Sequence, residues 1–248
     1  MKNPIKKIMR FVKDEAKILR YLVHNRLYVS SKSEKEIIDQ FHKLYWNSHS
    51  FGKSWGNMFW LGYPIMKYPS DMWIYQEIIF ETKPDFIIEC GTAHAGSALY
   101  FASLFDLMNH GKVITIDIEV WKNKENRERP KHERITYLTG HSTSKEMEDQ
   151  VRKITGDQAR VLVILDSDHH KEHVLNEMNV YNKFVSKGGY LIVEDGMVNG
   201  HPIVPDHGPG PWEAVEEFLK TNSDFVIDKT REKFYLTHNP NGYLKKIK

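Results

Sequence analysis

The stretch ECGTAHAGS at residues 89–97 decides the fold of this chain. It follows the apolar run Phe86–Ile88 and leads directly into an amphipathic stretch, Ser97–Asn109. A strand that ends in a glycine turn before a helix is typical of nucleotide-binding α/β units, because glycine allows a sharp turn and a close approach to a ligand. The pattern departs from G-x-G-x-x-G, since Ala93 stands at the middle position. The departure argues against a dinucleotide pyrophosphate as the ligand.

Apolar runs alternate with amphipathic stretches from this turn onward. The runs predict strands at Phe86–Ile88, Val113–Ile116, Ile135–Leu138, Val161–Leu165 and Tyr190–Val193. The stretches between them predict helices at Ser97–Asn109, Ser144–Ile154 and Glu172–Val185. Alternating strands and helices imply a parallel sheet with helices on both faces. Ligands of such sheets bind beyond the carboxyl ends of the strands, so we expect the chemistry there.

The chain ends with a different pattern. Trp212–Lys220 predicts a helix, and the runs Phe225–Ile227 and Phe234–Thr237 lie too close together for a helical crossover. These two runs therefore predict a terminal antiparallel pair. Such an ending distinguishes the sheet of a methyltransferase from that of a dehydrogenase.

The composition is that of an ordinary globular protein and argues against several kinds of partner. Of the 248 residues, 40% are hydrophobic and 27% are charged. The 35 Lys and Arg nearly balance the 33 Asp and Glu, which argues against nucleic acid as a partner. The single cysteine rules out an internal disulfide and fits a cytoplasmic protein. No apolar run is long enough to predict a transmembrane segment.

Residues 1–70 predict a helical N-terminal extension followed by a pocket-covering segment, ahead of a domain over residues 71–248. The first 29 residues mix basic and apolar side chains. They predict either a basic amphipathic helix in peripheral contact with an anionic membrane, or a helix packed on the domain or on a second subunit. Phe51–Ser70 is rich in glycine and aromatic residues and predicts either a segment over a pocket or a loop over the core. Asp71–Thr82 has the apolar spacing of a helix.

Features of three consecutive strand ends point to a nucleoside site. Asp117 ends the second strand 26 positions after Gly91 (117 − 91), where an acid accepts hydrogen bonds from ribose hydroxyls. Gly140–Ser142 follow the third strand, where they either hold an adenine ring or form a plain turn. Glu89 precedes the glycine turn and is placed to bind an ammonium group directly or through water.

Four carboxylates are predicted to meet at the next two strand ends. Asp166 and Asp168 follow the fourth strand, and Glu194 and Asp195 follow the fifth. Like charges at short distance repel strongly unless a cation lies between them. Oxygen ligands of this kind suit Mg²⁺. The alternative is that some of these acids cap the helices that follow.

His169 and Lys171 lie beside this acidic group in the sequence. A general base has to reach the acceptor hydroxyl and titrate near neutral pH, as histidine does. His169 is therefore the predicted base and Lys171 the second candidate. A histidine at such a position is otherwise a helix cap or a surface residue.

These motifs resemble those of the family named after cephalosporin hydroxylase, which includes the rhamnosyl O-methyltransferases. The resemblance runs from about Trp60 to Lys246. It is carried by separate blocks: WLG at 60–62, Lys67, Pro69 and Asp71, KPD at 83–85, ECGTAHAGSA at 89–98, LDSDH at 165–169, VED at 193–195, GPGP at 208–211, REKF at 231–234 and NPNGYL at 239–244. One departure is Ala95, where the family often has a second glycine.

The resemblance implies an α/β, Rossmann-like class I methyltransferase fold. Its mostly parallel seven-stranded sheet would carry helices on both faces and a C-terminal antiparallel strand. The implied cofactors are S-adenosylmethionine (SAM) and Mg²⁺. Glu194 and Asp195 fill two metal positions, and the third is Asp168 by the family pattern or Asp166 by the wider spacing of 28 residues (194 − 166). The resemblance also suggests a homo-oligomer.

Sequence and resemblance together predict methyl transfer from SAM to a hydroxyl of a sugar or glycosylated natural product, whose neighbouring oxygens suit chelation by Mg²⁺. The expected cofactor-binding residues are Glu89, Gly91, Thr92, Ala93, Gly96, Ser97, Asp117, Ile118, Gly140, His141, Ser142 and Asp166. Two alternatives stay open at this point. One is a nicotinamide-dependent oxidoreductase, and the other is an accessory protein that keeps the fold and serves a partner enzyme.

Overall fold

The structure is a computed structural model that describes residues 15, 16, 19, 20, 33–119 and 128–248. The chain divides into two compact units, Met1–Phe41 and His42–Lys248. The described residues of the first unit are helical apart from Ser33. Most of the basic segment 1–29, and with it the predicted amphipathic helix, lies outside the described residues. The unit that contains the large sheet begins at His42 and so includes residues 42–70.

The described residues form α1 (Glu34–Asn47), α2 (Pro69–Thr82), α3 (Gly96–Met108), α4 (Lys145–Thr155), α5 (Lys171–Tyr181) and α6 (Pro211–Thr221). Local signals explain where several of them begin. Pro69 and Pro211 occupy the first turns of α2 and α6, where a missing N–H is harmless. Ser144 caps α4 by accepting a hydrogen bond from the backbone N–H of Met147 at 3.2 Å. None of the helices in the described ranges has the length and apolarity that a membrane crossing requires.

A small hairpin pairs β1 (Phe59–Trp60) with β2 (Tyr63–Pro64). The large sheet contains β3 (Phe86–Cys90), β4 (Lys112–Asp117), β5 (Ile135–Thr139), β6 (Val161–Leu165), β7 (Tyr190–Val193), β8 (Phe225–Ile227) and β9 (Tyr243–Lys246). Its seven strands lie in the order β5-β4-β3-β6-β7-β9-β8. All neighbours are parallel except β9, which runs antiparallel to both β7 and β8. The predicted fold class is confirmed.

The central strands are apolar on both sides because helices cover both faces of the sheet. Ile88 and Val163 belong to one buried cluster, which also includes residues of α4, α5 and α6. Ile87 and Ile164 point the other way and pack with residues of α2 and α3. In the register of the sheet, Cys90 lies opposite both Ile116 and Leu165. The loops that follow β3, β4, β6 and β7 therefore emerge side by side.

One strand prediction is wrong. Phe234–Thr237 is not a strand, and β8 pairs instead with Tyr243–Lys246. The residues around 237 approach the start of α2, where the Thr237 hydroxyl donates to Asp71 Oδ1 at 2.5 Å and the His238 N–H donates to Asp71 Oδ2 at 2.8 Å. These bonds hold the segment to the helix rather than to the sheet.

Candidate active site

A cavity of about 580 Å³ opens at the carboxyl ends of the strands, a volume within the range of cofactor pockets. Residues from the loops after β3, β4, β5, β6 and β7 line it. Trp55 and the segment Pro64–Lys67 line it as well. The structure thus places part of the aromatic segment 51–70 over the cavity.

The glycine turn is shaped by two close approaches. Gly91 has φ +100, and a Cβ built there would lie 1.8 Å from the carbonyl oxygen of Asp166. A Cβ on Gly96 would lie 2.1 Å from the carbonyl oxygen of Pro64. Gly91 therefore lets the loops after β3 and β6 touch, while Gly96 lets the covering segment pack on the start of α3. Ala95, at the departure from the family pattern, has φ +61 and caps α3.

Asp117 fastens this turn to the neighbouring strand. Its Oδ2 accepts hydrogen bonds from the backbone N–H groups of Thr92 at 3.1 Å and Ala93 at 2.9 Å. Both residues line the cavity together with Asp117 and Ile118. The structure thus brings the predicted nucleoside residues of β3 and β4 to one wall.

Glu89 differs from the other predicted cofactor residues because it is fully buried behind the cavity wall. Its Oε2 accepts a hydrogen bond from Thr115 Oγ1 at 2.7 Å, and Thr115 Oγ1 in turn lies 2.8 Å from Thr92 Oγ1. Oε1 is buried with no hydrogen-bond partner among the residues described. Burial raises the pKa of Glu89 to about 7. Ser97, which lies beside Glu89, does line the cavity.

The loops after β6 and β7 bring three candidate metal-binding side chains together. One ligand atom each from Asp166, His169 and Asp195 lies within 4.8 Å of the other two. His169 Nε2 is 3.0 Å from Asp195 Oδ2 and 4.0 Å from Asp166 Oδ1. All three side chains line the same cavity as the glycine turn. His238 approaches from the other side, with Nδ1 3.6 Å from Asp195 Oδ1.

Glu194, the third acid at this group, is paired with a lysine that was not among the predicted site residues. Lys67 is only 2% exposed, and its ammonium donates to Glu194 Oε1 at 2.6 Å and to Asp166 Oδ2. Lys67 comes from the covering segment, 99 and 127 residues away from these partners. The acidic cluster therefore contains a fixed positive charge supplied by the protein.

The protonation of the cluster follows from burial and mutual charge. Burial, which outweighs the neighbouring Lys67, raises the pKa of both Asp166 and Glu194. Burial disfavours the charged ring of His169, but the adjacent Asp195 carboxylate outweighs it and raises the pKa of His169 to about 9. Burial alone would also raise the pKa of Asp195, yet His169 lowers it well below its usual range. His169 and Asp195 are therefore a charged pair at neutral pH.

Asp168 lines the cavity but lies outside the group of Asp166, His169 and Asp195, and Lys171 lies apart from both. The Asp168 side chain is 53% exposed, and its Oδ1 accepts hydrogen bonds from the His170 backbone N–H at 3.0 Å and contacts the His170 ring at 2.5 Å. It precedes His170, the N-cap residue of α5, and accepts a hydrogen bond from the backbone N–H two residues on, as in an Asx turn. Lys171 begins α5, donates its backbone N–H to Pro209 at 3.0 Å, and is absent from the cavity lining.

Aromatic residues form another wall of the cavity. The sequence predicted such a wall only from the aromatic composition of residues 51–70. Trp46 stacks on Trp55 with ring centroids 4.6 Å apart and an interplanar angle of 20°. Both indoles line the cavity, and Trp46 also approaches His238 edge-on. Trp46 comes from α1, far from any of the sequence motifs. The covering segment and the end of α1 thus complete a site whose floor is the sheet.

Comparison with known proteins identifies the family of the chain. The family model described as "Rhamnosyl O-methyltransferase/CmcI" matches residues 52–247. The chain belongs to this family. The rhamnosyl O-methyltransferase of Mycobacterium tuberculosis is 36% identical over 212 residues, or 84% of each chain. That of Mycobacterium leprae is 36% identical over 214 residues, covering 84% of this chain and 90% of the relative. The predicted family is confirmed. Both relatives are named as O-methyltransferases, the activity predicted for this chain.

Solved structures of CmcI share the fold. A structure titled as the Mg-SAM form superposes with a TM-score of 0.59 at 20% identity, over 79% of each chain. The apo form gives a TM-score of 0.58 at 21% identity, over 78% of this chain and 77% of that one. At this level of identity, the likeness concerns the arrangement of the sheet and helices.

Proposed function

We propose that the protein transfers a methyl group from SAM to a hydroxyl group of a sugar, with Mg²⁺ bound at the acidic cluster. The observation that carries the proposal is the approach of Asp166, His169 and Asp195 on the wall of the cavity that the glycine turn also lines. Methyl transfer to a hydroxyl needs a proton acceptor and a charged group next to the methyl donor. Membership of a family whose curated relatives are rhamnosyl O-methyltransferases supports the sugar acceptor.

The carboxylate oxygens of the cluster suit Mg²⁺ in type and come near the spacing that it needs. Ligands about 2.1 Å from Mg²⁺ lie roughly 3 to 4.2 Å from one another around an octahedron. One carboxylate oxygen of Asp166 and one of Asp195 lie within 4.8 Å of each other. Asp166 and Asp195 supply carboxylate oxygens, and Glu194 is the third carboxylate. We assign Asp166 rather than Asp168, because the Asp168 carboxylate contacts His170 and is half exposed. The ion, when bound, would favour the alkoxide form of the acceptor hydroxyl.

Lys67 makes three carboxylates compatible with one divalent cation. Three carboxylates and Mg²⁺ together leave one excess negative charge in a buried site, and such a charge is unfavourable. The Lys67 ammonium, already bonded to Glu194 and Asp166, balances that charge. Lys67 thus holds the acids close together despite their mutual repulsion.

The cofactor is expected along the glycine turn. Asp117 ends β4 on the cavity wall, where it binds the ribose hydroxyls. Beneath the turn, Glu89 places a buried carboxylate directly behind the cavity wall, where its negative charge suits the ammonium of the methionine part of SAM. Gly140–Ser142 line the cavity after β5, on the side expected for the adenine ring.

His169 is the proposed general base. Its Nε2 faces the acids, so a hydroxyl lying between the ring and the carboxylates is within reach. Asp195 keeps the ring protonated at neutral pH, with a pKa of about 9. A cation bound by Asp195 would weaken this pair and leave the His169 ring able to accept a proton. The acceptor oxygen then forms a bond to the methyl carbon as the carbon–sulfur bond breaks, and the hydroxyl proton passes to His169.

The test is methyl transfer from SAM to a panel of acceptors, measured by mass spectrometry. The panel contains methyl α-L-rhamnoside, other methyl glycosides and catechol. We expect one methyl group to be added to a glycoside, and EDTA to abolish the reaction. No transfer to any sugar, or full activity in EDTA, would contradict the proposal.

Three matched substitutions separate the acids. Asp166→Asn and Asp195→Asn should each lower the rate at least about hundredfold, since each removes a proposed metal ligand. Asp168→Asn is the control, because its carboxylate is bonded to His170 and lies outside the group of Asp166, His169 and Asp195. A large loss in the Asp168 variant alone would reverse the assignment.

A further inference from the structure

A fully buried carboxylate, Glu177 of α5, lies behind one wall of the cavity. Its Oε1 accepts hydrogen bonds from the hydroxyls of Ser142 at 2.5 Å and Ser167 at 2.8 Å. His173 Nε2, one helical turn away, lies 3.1 Å from the same oxygen. Ser142, Ser167 and His173 line the cavity, whereas Glu177 does not. One hidden carboxylate thus fixes three side chains that face the cavity.

The fold builds this group from three elements. Ser142 follows β5, Ser167 follows β6, and His173 shares α5 with Glu177. The hydroxyl of Tyr181, also on α5, donates a hydrogen bond to the backbone carbonyl of Ser142 at 2.7 Å. The hydrogen bond to Glu177 raises the pKa of His173. A carboxylate this deeply buried is unfavourable unless its partners compensate it, which argues for a role at the cavity.

The chemistry of the group follows from counting protons. A serine hydroxyl has one proton to donate and two lone pairs that accept. Both hydroxyls donate their proton to Glu177, and His173 Nε2 lies 3.1 Å from Ser167 Oγ. Ser142 therefore keeps two lone pairs and Ser167 at least one, so toward a ligand each hydroxyl can only accept a hydrogen bond. This wall therefore presents acceptors, and the ligand group facing it has to be a donor.

The position of the wall indicates which ligand group that is. In the sheet, β5 lies beside β4, so Ser142 follows the strand next to Asp117, the proposed ribose residue. The sulfonium has to lie near the acidic cluster, and the base therefore lies beyond the ribose, toward Ser142. Adenine carries an amino group at position 6, which donates, whereas hypoxanthine carries a carbonyl there, which accepts.

We infer that Glu177 is a positioning residue that sets the base specificity of the nucleoside site. It holds Ser142 and Ser167 as acceptors for the adenine amino group and thereby excludes hypoxanthine. The inference rests on the proposed function, because it requires a SAM-type ligand in this cavity.

Isothermal titration with two nucleosides tests the inference. The probes are S-adenosyl-L-homocysteine and its deaminated analogue, S-inosyl-L-homocysteine. The protein should bind the adenosyl compound at least about tenfold more tightly, as expected when a buried acceptor loses its donor. Equal affinity for the two probes would overturn the inference.

Substitutions show whether Glu177 is responsible. In Glu177→Gln the amide can donate a hydrogen bond to one of the two serine hydroxyls, and the proton of that hydroxyl then points into the cavity. The affinities for the adenosyl and inosyl compounds should therefore differ by no more than about threefold. Ser142→Ala and Ser167→Ala should lower the preference with Glu177 intact. Glu172→Gln is the control, because Glu172 is exposed on the same helix. A purely structural role would weaken both probes together and leave their ratio unchanged.

The outcomes separate this inference from the proposed function. If neither nucleoside binds, the proposed function fails, and this inference fails with it. If both bind equally, or if the ratio survives in all three variants, the proposed function stands and only the inference on Glu177 is overturned.

Discussion

Replacement of Lys67 by methionine removes the positive charge from the acidic cluster with little change in side-chain length. Lys67 is 2% exposed and bonded to both Glu194 and Asp166. Its loss leaves the buried Glu194 beside the partly exposed Asp166 without a counter-charge, and breaking a buried ion pair costs up to about 3–5 kcal/mol. For a chain of this length, such a change lowers Tm by roughly 10 °C. The two acids recover part of the loss by taking up a proton, so the destabilisation should be smaller at acid pH than at neutral pH.

Urea unfolding in EDTA, repeated with excess MgCl₂, measures this effect. Mg²⁺ should stabilise Lys67→Met more than the unmodified protein, because the ion replaces the missing charge and binds only the folded state. Lys53→Met, at an exposed position, is the control and should stay within about 0.5 kcal/mol of the unmodified protein. If Lys67→Met unfolds within about 1 kcal/mol of the unmodified protein in EDTA, Lys67 does not hold the cluster together and the reasoning fails.

Two further predictions concern the turn and the buried histidine. Gly91→Ala should lower the free energy of unfolding by at least about 2 kcal/mol, because a Cβ there meets the Asp166 carbonyl. Gly188→Ala, with φ +84 but open space around it, should lose less than Gly91→Ala in the same urea titration. His238 is buried, and burial lowers its pKa from 6.5 to about 4, so the unfolded chain takes up its proton first as the pH falls. The free energy of unfolding should therefore drop by about 2 kcal/mol between about pH 7 and pH 5 because of His238. His238→Gln should lose about that much less over the same pH range. An identical pH profile of stability for the variant and the unmodified protein would refute the prediction.

The fold was largely predictable because parallel strands buried on both faces appear in the sequence as short apolar runs. The run Val161–Leu165 became β6 with the same bounds. The last strand was missed because Tyr243–Lys246 ends in lysines, whereas the preceding run Phe234–Thr237 has the residue types of a strand. In the structure, the Lys246 ammonium donates to backbone carbonyls at 3.1 and 2.8 Å, so a lysine is accommodated at the sheet.

The acids at the strand ends were predictable for a related reason. Their positions depend on the local sequence, since the carboxyl ends of neighbouring parallel strands emerge together. The difference between Asp166 and Asp168 was not predictable, because it depends on which way the backbone turns after β6. That turn directs Asp168 toward His170 and Asp166 toward Lys67.

Lys67 and Glu177 could not be found from local patterns. Lys67 belongs to the blocks that carry the family resemblance, but it reaches its partners across 99 and 127 residues, so no local spacing indicates that it pairs with Asp166 and Glu194. Glu177 looks like an ordinary polar position of a helix until the loops after β5 and β6 bring Ser142 and Ser167 against it. Long-range contacts of this kind depend on the packing of the finished fold rather than on local propensity.

Anomalous diffraction from crystals grown with Mn²⁺ and S-adenosyl-L-homocysteine tests the central claim most directly. A divalent ion held by the acids after β6 and β7 should give an anomalous peak between the carboxylates of Asp166 and Asp195, beside the bound nucleoside. A peak on Asp168 instead, or a bound nucleoside with no peak at the cluster, would contradict the account.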